Sequence, residues 1–310
     1  MRNPISSMRE IVTRYLRMVE DIRERIAHLE HRLAEQGDQI RALNVEVRGG
    51  KAAAIDLTFD LLIKSDPRYR DKRHVGAAHG QVFSQNNEDG VIADIFNRIG
   101  TTSKTFLEIA AGNGIENATR LLLDLGWSGI WVEAGDAEAQ SIRHLMAEPI
   151  SRGRLVFLQE RVDRNNVVDL LRASLPDELD FLSLDIDYNT SHIWSALKHL
   201  RPRVICVEYN AHFPPSVDYE VPYLPDGVWD GSTRFGASLK ALERIGRGAG
   251  YNLVGCDIFG VNAYFVREDL CDEKVFLAPF AAENHYEPPR YSAVHMRGHG
   301  RYTNVLNARD

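Results

Sequence analysis

The chain has 310 residues, of which 44% are hydrophobic and 26% charged, and its formal net charge is -7. These values are typical of a soluble globular protein and give no electrostatic basis for binding nucleic acid. The three scattered cysteines exclude a disulfide scaffold, no apolar run approaches the ~20 residues of a membrane span, and the first residues lack the apolar core of a signal peptide, so we expect a cytoplasmic protein.

Residues 8–47 carry a seven-residue repeat of apolar side chains. One set of positions is Val12, Val19, Ile26, Leu33, Ile40 and Val47, and the set offset by three is Met8, Tyr15, Ile22, Leu29, Gln36 and Leu43. These are the a and d positions of a coiled coil, and mostly β-branched a residues favour a parallel dimer, although Ile at d and the polar Gln36 leave a trimer open. We expect a homo-oligomer through residues 8–47. The alternative is a lone amphipathic helix folded against its own chain.

Two glycines and a polar stretch follow the repeat. Gly49–Gly50 is predicted to end the helix, so that residues 1–50 form a coiled-coil oligomerisation segment. A shorter helix over 51–64 and a polar connector are predicted to make up the segment 51–80. Residues 81–310 then form the main domain and a C-terminal tail.

From residue 81 onward, short apolar strands alternate with helices. Strands are predicted at 105–112, 129–135, 154–160, 180–187 and 202–210, and residues 251–268 have the pattern of a β-hairpin. Such alternation indicates parallel strands with helices on both faces. We therefore predict an α/β fold: a Rossmann-like, mostly parallel sheet flanked by helices, preceded by the N-terminal coiled-coil helix.

Ligands of such sheets bind at the carboxyl ends of the strands. The first predicted strand runs into the small residues Ala110, Gly112 and Gly114, which let the backbone approach a ligand. The second strand ends in Glu133, one strand–helix–strand step further on, where an acid can accept hydrogen bonds from both hydroxyls of a ribose. Together these features indicate an adenosine-containing ligand.

Acidic side chains follow the next two strands. Asp185 and Asp187 close the fourth predicted strand, and Glu208 and Asn210 close the fifth. Because neighbouring strands lie ~4.8 Å apart, we expect these side chains to converge, and hard oxygen ligands of this kind suit Mg²⁺. The alternative is that Asp187 caps the following helix and the strand ends are simply solvated.

Three side chains near these strand ends are candidate general bases. They are Asp187, His192 in the first turn of the next helix, and His212 just past Asn210. A base at this place can accept a proton from a substrate held at the strand ends. The alternative for each histidine is an ordinary surface or hydrogen-bonded residue.

Two stretches resemble class I S-adenosylmethionine-dependent methyltransferases. "FLEIAAGNGIENATRLLLDLGWSGIWVEAG" (106–135) looks like their motifs I and II, and it is most similar to the FkbM-like and metal-dependent sugar O-methyltransferase groups. "FSQNNEDGVIADIF" (83–96) resembles the segment that leads into the domain in the same group. The resemblance covers about residues 81–268. Tyr209 departs from it, because the family carries a second acid there.

The resemblance implies a function and a set of site residues. The implied cofactor is S-adenosylmethionine, with Mg²⁺ assistance left open. The implied acceptor is a hydroxyl of a sugar or polysaccharide-type molecule. Cofactor contacts carry over to Gln85, Glu88, Glu108, Ala110, Gly112, Gly114, Glu133 and Asp185, with residues 160–162 facing the adenine, and metal ligands carry over to Asp185, Asp187, Glu208 and Asn210.

The long loop over residues 211–238 is rich in Pro, Tyr and Trp and is predicted to be a lid or specificity element. Tyr219 and Trp229 are expected to stack on a sugar ring, and Asp230 to bond its hydroxyls. The alternative is a packing loop.

Two other functions stay open. A glycosyltransferase also places Asp-x-Asp after an apolar strand, where it holds a metal and a nucleotide-sugar diphosphate. A non-catalytic coiled-coil scaffold with a degenerate methyltransferase fold is the other. The sequence does not identify the acceptor, the metal requirement, the choice between dimer and trimer, or the general base.

Overall fold

The computed structural model describes residues 4–294, 300 and 301. The chain divides into two compact units, Met1–Asp60 and Leu61–Asp310. Its α-helices are α1 (Pro4–Ser65), α2 (Pro67–Arg70), α3 (Glu88–Ile99), α4 (Arg120–Asp124), α5 (Asp136–Leu145), α6 (Ala147–Ser151), α7 (Val167–Leu171), α8 (Thr190–Leu197), α9 (Leu239–Gly248) and α10 (Ala282–His285). Its strands are β1 (Thr105–Ile109), β2 (Ser128–Glu133), β3 (Leu155–Gln159), β4 (Phe181–Leu184), β5 (Val204–Glu208), β6 (Tyr251–Cys256) and β7 (Asn262–Arg267). Within the described residues, no helix has both the length and the apolar character that crossing a bilayer requires.

The predicted helix end at Gly49–Gly50 is wrong. Helix α1 runs through both glycines to Ser65, so the predicted separate helix over 51–64 is its last part. A glycine costs about 1 kcal/mol in a helix interior. The good helix formers Lys51 to Ala54 follow directly and offset part of this cost. The coiled-coil pairing and the division into 1–50, 51–80 and 81–310 stay predictions.

The seven strands form one sheet in the order β3-β2-β1-β4-β5-β7-β6. Strands β1 to β5 pair in parallel, and β7 is antiparallel to both β5 and β6. The predicted Rossmann-like, mostly parallel sheet and the predicted hairpin are confirmed. The short connection between β6 and β7 makes that pair antiparallel, because a parallel pair needs a long crossover.

The sheet is covered on both faces. Side chains alternate along each strand, so Phe106 and Phe181 pack in one apolar cluster while Leu107 and Leu182 pack in the other. Cys206 on β5 is buried. Because both faces are filled with apolar side chains, the polar groups of this unit concentrate at the ends of the strands.

Candidate functional site

The turn after β1 has a left-handed backbone at three positions. Ala110 has φ 66°, Gly112 φ 57° and Gly114 φ 76°. A Cβ on Gly114 would lie 3.0 Å from Ile142 and 3.2 Å from Trp131. Gly114 therefore serves the close packing of the turn, whereas a Cβ on Gly112 would meet no atom within 4 Å. Of the two predicted glycines, Gly112 is the one that leaves room for a ligand.

Glu133, at the end of β2, is bound to this turn. Its Oε2 accepts a hydrogen bond from the Gly112 amide at 2.8 Å, and its Oε1 accepts from the Ala134 and Gly135 amides at 2.8 Å each. A carboxylate offers about four acceptor sites. Three are used here, so binding both hydroxyls of a ribose requires Glu133 to share or release one of these amides.

Glu108, on β1, is buried and saturated with hydrogen bonds. Its carboxylate accepts from Asn117 Nδ2 at 2.7 Å, from the Ala118 and Thr119 amides at 2.9 and 3.1 Å, and from the Thr119 hydroxyl. Burial raises the pKa of Glu108, and these donors oppose the rise. Glu108 thus holds the segment that leads into α4, and its contact with the cofactor stays a prediction.

Glu88, the first residue of α3, joins the leading segment to the sheet. Its carboxylate accepts from the Asn86 amide at 2.6 Å, from Asn86 Nδ2 at 3.1 Å and from Asn262 Nδ2 on β7 at 2.8 Å. Burial, followed by the charge of Asp257, raises the pKa of Glu88 to about 8. Glu88 is thus a buried acid whose surroundings favour the proton more than water does.

Asp185, Asp187 and Glu208, called here the acid cluster, come together beyond β4 and β5. One carboxylate oxygen of each lies within 4.8 Å of the others. Strands β4 and β5 are hydrogen-bonded neighbours, and the left-handed backbone of Asp187 (φ 58°) turns the chain sharply after Asp185. The convergence of these three predicted side chains is therefore a result of strand pairing and one tight turn.

The acid cluster has unusual electrostatics. Burial, with the charge of Asp187, raises the pKa of Asp185 to about 6. Burial and the charges of Asp185 and Asp187 raise the pKa of Glu208 well above its ordinary value. The buried Oε2 of Glu208 has no hydrogen-bond partner in the described part of the chain. Three acids held this close favour a cation among them or a shared proton.

Three cavities meet at Asp185. The first, of about 190 Å³, lies against the turn after β1 and the leading segment. The second, of about 400 Å³, lies between Glu133 and residues 160–162. The third, of about 620 Å³, is lined by the whole acid cluster and by His212. Asp185 lines all three.

Several other side chains are shared between these cavities. Gln85 lines the first and the third, whereas Asp187 and Trp229 line the second and the third. The structure therefore places the glycine turn, Glu133 and the acid cluster on adjacent cavities at the carboxyl edge of the sheet.

His192 lies outside the three cavities. Its Nε2 is 2.8 Å from the Val221 carbonyl oxygen, and its Nδ1 is 3.5 Å from the Glu220 carboxylate. Both ring nitrogens thus face the 211–238 loop, because the first turn of α8 directs this side chain sideways. The structure leaves His212 and Asp187 as the predicted bases that reach the acid cluster.

Asn210 is buried and holds the loop in place. Its Nδ2 donates to the carbonyls of Thr233 at 2.8 Å and Phe235 at 2.9 Å, and its Oδ1 accepts from the His212 amide at 3.2 Å. Strand β5 ends at Glu208, so the chain has already turned away at Asn210. Asn210, predicted as a metal ligand, therefore uses its side chain to hold the 211–238 loop.

Of the three predicted acceptor contacts, one reaches the cavities. Tyr219 stacks on Phe213 with ring centroids 4.2 Å apart. Asp230 is exposed and accepts from the Ser232 amide at 2.9 Å. Trp229 lines two cavities, and its Nε1 donates to the Ser232 carbonyl at 2.6 Å.

The sequence did not indicate two residues that line the third cavity, Tyr291 and Val294. The ring of Tyr291 stands edge-on to His212, with centroids 5.7 Å apart. This C-terminal segment is anchored by the buried Glu287, which accepts from the Tyr69 hydroxyl at 2.7 and 2.8 Å. No local pattern signals a contact between segments so distant in sequence.

No family model matches the chain, and no curated protein matches it. Solved structures similar to it include magnesium protoporphyrin IX methyltransferase (ChlM) from Synechocystis PCC 6803 with bound SAM, at TM-score 0.40 and 15% identity over 69% of this chain and 96% of that one. The glycopeptide N-methyltransferase MtfA with sinefungin has a TM-score of 0.36 and 18% sequence identity, over 67% of this chain and 96% of that one. The METTL16 MTase domain has a TM-score of 0.38 and 14% sequence identity, over 58% of this chain and 66% of that one. These values are too low to transfer an activity, and the resemblance to the FkbM-like group stays a prediction.

Proposed function

We propose that this protein is an S-adenosylmethionine-dependent methyltransferase that methylates a hydroxyl of a sugar or polysaccharide-type acceptor, with Mg²⁺ held by the acid cluster. The observation that supports this most is the meeting of three cavities at Asp185. The three cavities offer separate compartments for a methionine part, an adenosine part and an acceptor, and the ionisable side chain of Asp185 borders all three.

The first two cavities suit the two halves of the cofactor. Gly112 leaves space for the methionine part, and Glu88 lines the same cavity as a buried, hydrogen-bonded acid. Glu133 and residues 160–162 enclose the second cavity, where a ribose and an adenine fit. S-adenosylmethionine, when bound, supplies an electrophilic methyl group on a cationic sulfur. Ionised Asp185 stabilises that positive charge at the junction.

The acid cluster fits a hard divalent cation. Its three carboxylates supply oxygen ligands, and the buried Glu208 Oε2 lacks a protein partner among the described residues. Mg²⁺ prefers such ligands and, when bound, lowers the pKa of a coordinated hydroxyl. Asp185, Asp187 and Glu208 would hold it. His212, on the wall of the same cavity, is positioned to accept the proton of the acceptor hydroxyl.

The third cavity suits an uncharged polyhydroxyl acceptor. Trp229 and Tyr291 offer aromatic surface, and the acid cluster offers acceptors for hydroxyl groups. Within the described part of the chain, its lining includes neither lysine nor arginine. A phosphate or carboxylate group would therefore be repelled unless a metal intervened, whereas a sugar ring would be accommodated.

The proposal is tested by calorimetric titration of the full chain with S-adenosylhomocysteine and, separately, with UDP-glucose. We expect the first to bind and Glu133→Gln to weaken it about 10- to 100-fold, because hydrogen bonds to a charged group are worth roughly 1.5–3 kcal/mol. Glu178→Gln, an exposed carboxylate just before β4 at the opposite edge of the sheet, is the matched control. Binding of UDP-glucose without binding of S-adenosylhomocysteine would overturn the proposal in favour of a glycosyltransferase. Binding of neither would favour a scaffold.

A further inference from the structure

Helix α1 exposes an apolar stripe, interrupted at Gln36, within the unit Met1–Asp60. The seam, defined as the a and d positions over residues 8–47, includes ten large apolar side chains with between 46% (Ile22) and 71% (Met8) of their surface exposed. Exposed apolar patches of this extent mark interaction sites. The strict seven-residue spacing keeps such a stripe on one line only when two helices supercoil around each other. The partner that this spacing fits is another helix with the same repeat.

We propose that the seam pairs with the seam of a second copy of this chain, in parallel and in register. The flanking charges are compatible with this arrangement. Arg25 at a g position then faces Glu30 at the following e position of the other copy, and the remaining g and e positions bring no like charges together. A fully overlapped antiparallel pair instead sets Arg25 against Arg32 and Arg23 against Glu30, so that repulsion and attraction cancel.

Gln36 gives the stronger argument for the parallel orientation. In a parallel, in-register pair this d residue meets Gln36 of the second copy, and the two amides can hydrogen-bond to each other. In the fully overlapped antiparallel pair, Gln36 would meet Val19. An amide buried against an apolar side chain loses its hydrogen bonds to water without replacement, which is unfavourable. The polar layer therefore selects the parallel pair.

Light scattering on the full chain tests the pairing. We expect the mass of two 35.0 kDa chains for the wild type. Ile26→Asp combined with Leu33→Asp places charges in the seam and should give the mass of one chain. His31→Asp, at an exposed position outside the seam of the same helix, should leave the pair intact. A wild-type mass of one or of three chains would overturn the proposal.

Oxidative cross-linking tests the orientation. Val12→Cys should form a covalent dimer, because a parallel pair sets the two a positions side by side. An antiparallel pair would move each to the partner's residue 43, so that the two cysteines would lie ~46 Å apart at the helical rise per residue. Arg17→Cys, on the outer face, should not cross-link. A Val12→Cys variant that stays uncross-linked at the dimer mass would refute the parallel register.

A second, independent observation concerns Arg301, whose side chain is only 13% exposed. Its Nη2 donates to the Ser84 carbonyl at 3.0 Å, its Nε donates to the Phe83 carbonyl, and its Nη1 lies 3.3 Å from Glu116 Oε1. Ser84 directly precedes Gln85, and Gln85 and Glu116 both line the first cavity. One guanidinium thus joins the two segments on either side of that cavity.

We infer that Arg301 is a positioning residue for the cofactor cavity, an inference that rests on the proposed function. The planar guanidinium offers five donors in a fixed arrangement, so it can hold two carbonyls and one carboxylate at a set separation. A lysine carries its three donors on a single nitrogen, so it cannot reach the same three acceptors at once. Each segment keeps its own anchors, such as the Asp89 carboxylate that accepts from the Phe83 amide. Without Arg301, however, the segments that begin at Phe83 and at Asn113 lose this cross-link and become more mobile relative to each other, and ordering them again on binding weakens the ligand.

The test compares Arg301→Ala and Arg301→Lys with the control Arg172→Ala. Arg172 is an exposed arginine that belongs to neither segment. We expect Arg301→Ala to weaken S-adenosylhomocysteine about tenfold, Arg301→Lys to weaken it less, and the control to have no effect. Amide hydrogen exchange over residues 83–87 and 113–117 should also accelerate in Arg301→Ala without ligand. Unchanged exchange would overturn this inference. Failure of the wild type to bind the ligand would instead overturn the proposed function.

Discussion

The N-terminal helix and the α/β unit break the rule of apolar inside and polar outside in opposite ways. Helix α1 leaves large apolar side chains such as Ile26 and Leu33 half or more exposed. The α/β unit buries its apolar residues on both faces of the sheet and then also buries acids, among them Glu88 and Glu108. Both departures are costly in an isolated chain, because exposed apolar stripes and buried carboxylates are each unfavourable.

The difference teaches what each region lacks. The helix lacks apolar surface to cover its seam, which is what the proposed pairing with a second helix would provide. At the carboxyl edge of the sheet, Glu88 and Glu108 are satisfied by hydrogen bonds, whereas the acid cluster is not, because Glu208 Oε2 has no partner among the described residues. A cationic or hydroxyl-bearing ligand is what we propose for it. Where a folded region departs from ordinary burial without internal compensation, the missing chemistry identifies the kind of partner.

Removing one acid of the cluster is expected to have the largest effect. Glu208→Gln should weaken Mg²⁺ at least about 100-fold, because even outer-sphere partners of a metal contribute 10- to 100-fold. Calorimetric titration with Mg²⁺ in the presence of S-adenosylhomocysteine measures this, with Glu178→Gln as control. Since burial raises the pKa of Asp185 to about 6 and that of Glu208 well above its ordinary value, wild-type affinity should fall as the pH drops and protons compete with Mg²⁺ for both carboxylates. Equal Mg²⁺ affinity in both variants would show that the acid cluster serves another purpose.

A buried histidine should make folding sensitive to acid. Burial lowers the pKa of His74 from 6.5 to about 4, and neither ring nitrogen has a hydrogen-bond partner in the described residues. The unfolded chain therefore binds this proton more readily between those values, and stability falls as pH falls through the window. Urea titrations should show that His74→Leu loses about 2 kcal/mol less than the wild type between pH 7 and pH 5. His199→Leu, at an exposed histidine, should not differ from the wild type.

The charge of Asp185 should distinguish the methyl donor from its product. Asp185→Asn is expected to weaken S-adenosylmethionine about tenfold more than S-adenosylhomocysteine, because only the former carries a sulfonium charge. Parallel titrations with the two ligands give the ratio directly. A variant that weakens both ligands equally would place the sulfur away from the junction of the cavities.

The same glycine-to-alanine change, made once in helix α1 and once in the α/β unit, should shift the free energy of unfolding by about 1 kcal/mol in opposite directions. Gly50→Ala should stabilise helix α1 by about 1 kcal/mol, because Gly50 lies in a helix interior and a Cβ there meets nothing within 4 Å. Gly100→Ala should destabilise the α/β unit by a similar amount, since its φ of 71° is strained for any residue with a Cβ. Thermal unfolding followed by circular dichroism checks both. Opposite signs are expected from the same chemical change.

The fold was predictable to the extent that it rests on local patterns. The five parallel strands and the hairpin follow from apolar runs separated by turns and helices, and each appears at its expected place. The end of α1 was not predictable from Gly49 and Gly50 alone, because a penalty of about 1 kcal/mol per glycine, offset in part by the good helix formers that follow, does not by itself end a helix. Strand ends also showed where polar groups would gather.

The membership of the site was predictable only in part. Asp185, Asp187 and Glu208 follow strands that pair, so their convergence is a consequence of topology. His192 and Asn210 follow the same strands, yet their side chains brace the loop, because one turn of helix or one bend of chain redirects them. Such redirections depend on backbone angles that the local sequence does not set.

By itself, the sequence determined the heptad seam, the mostly parallel sheet and the accumulation of acids at its carboxyl edge. Each of these follows from the spacing of residues that are close together in the chain. Only the tertiary structure decided that Tyr291 enters the third cavity and that Arg301 joins the two sides of the first. Those contacts join segments about 80 to more than 200 positions apart, and their energy comes from burial and hydrogen bonds that no local periodicity encodes.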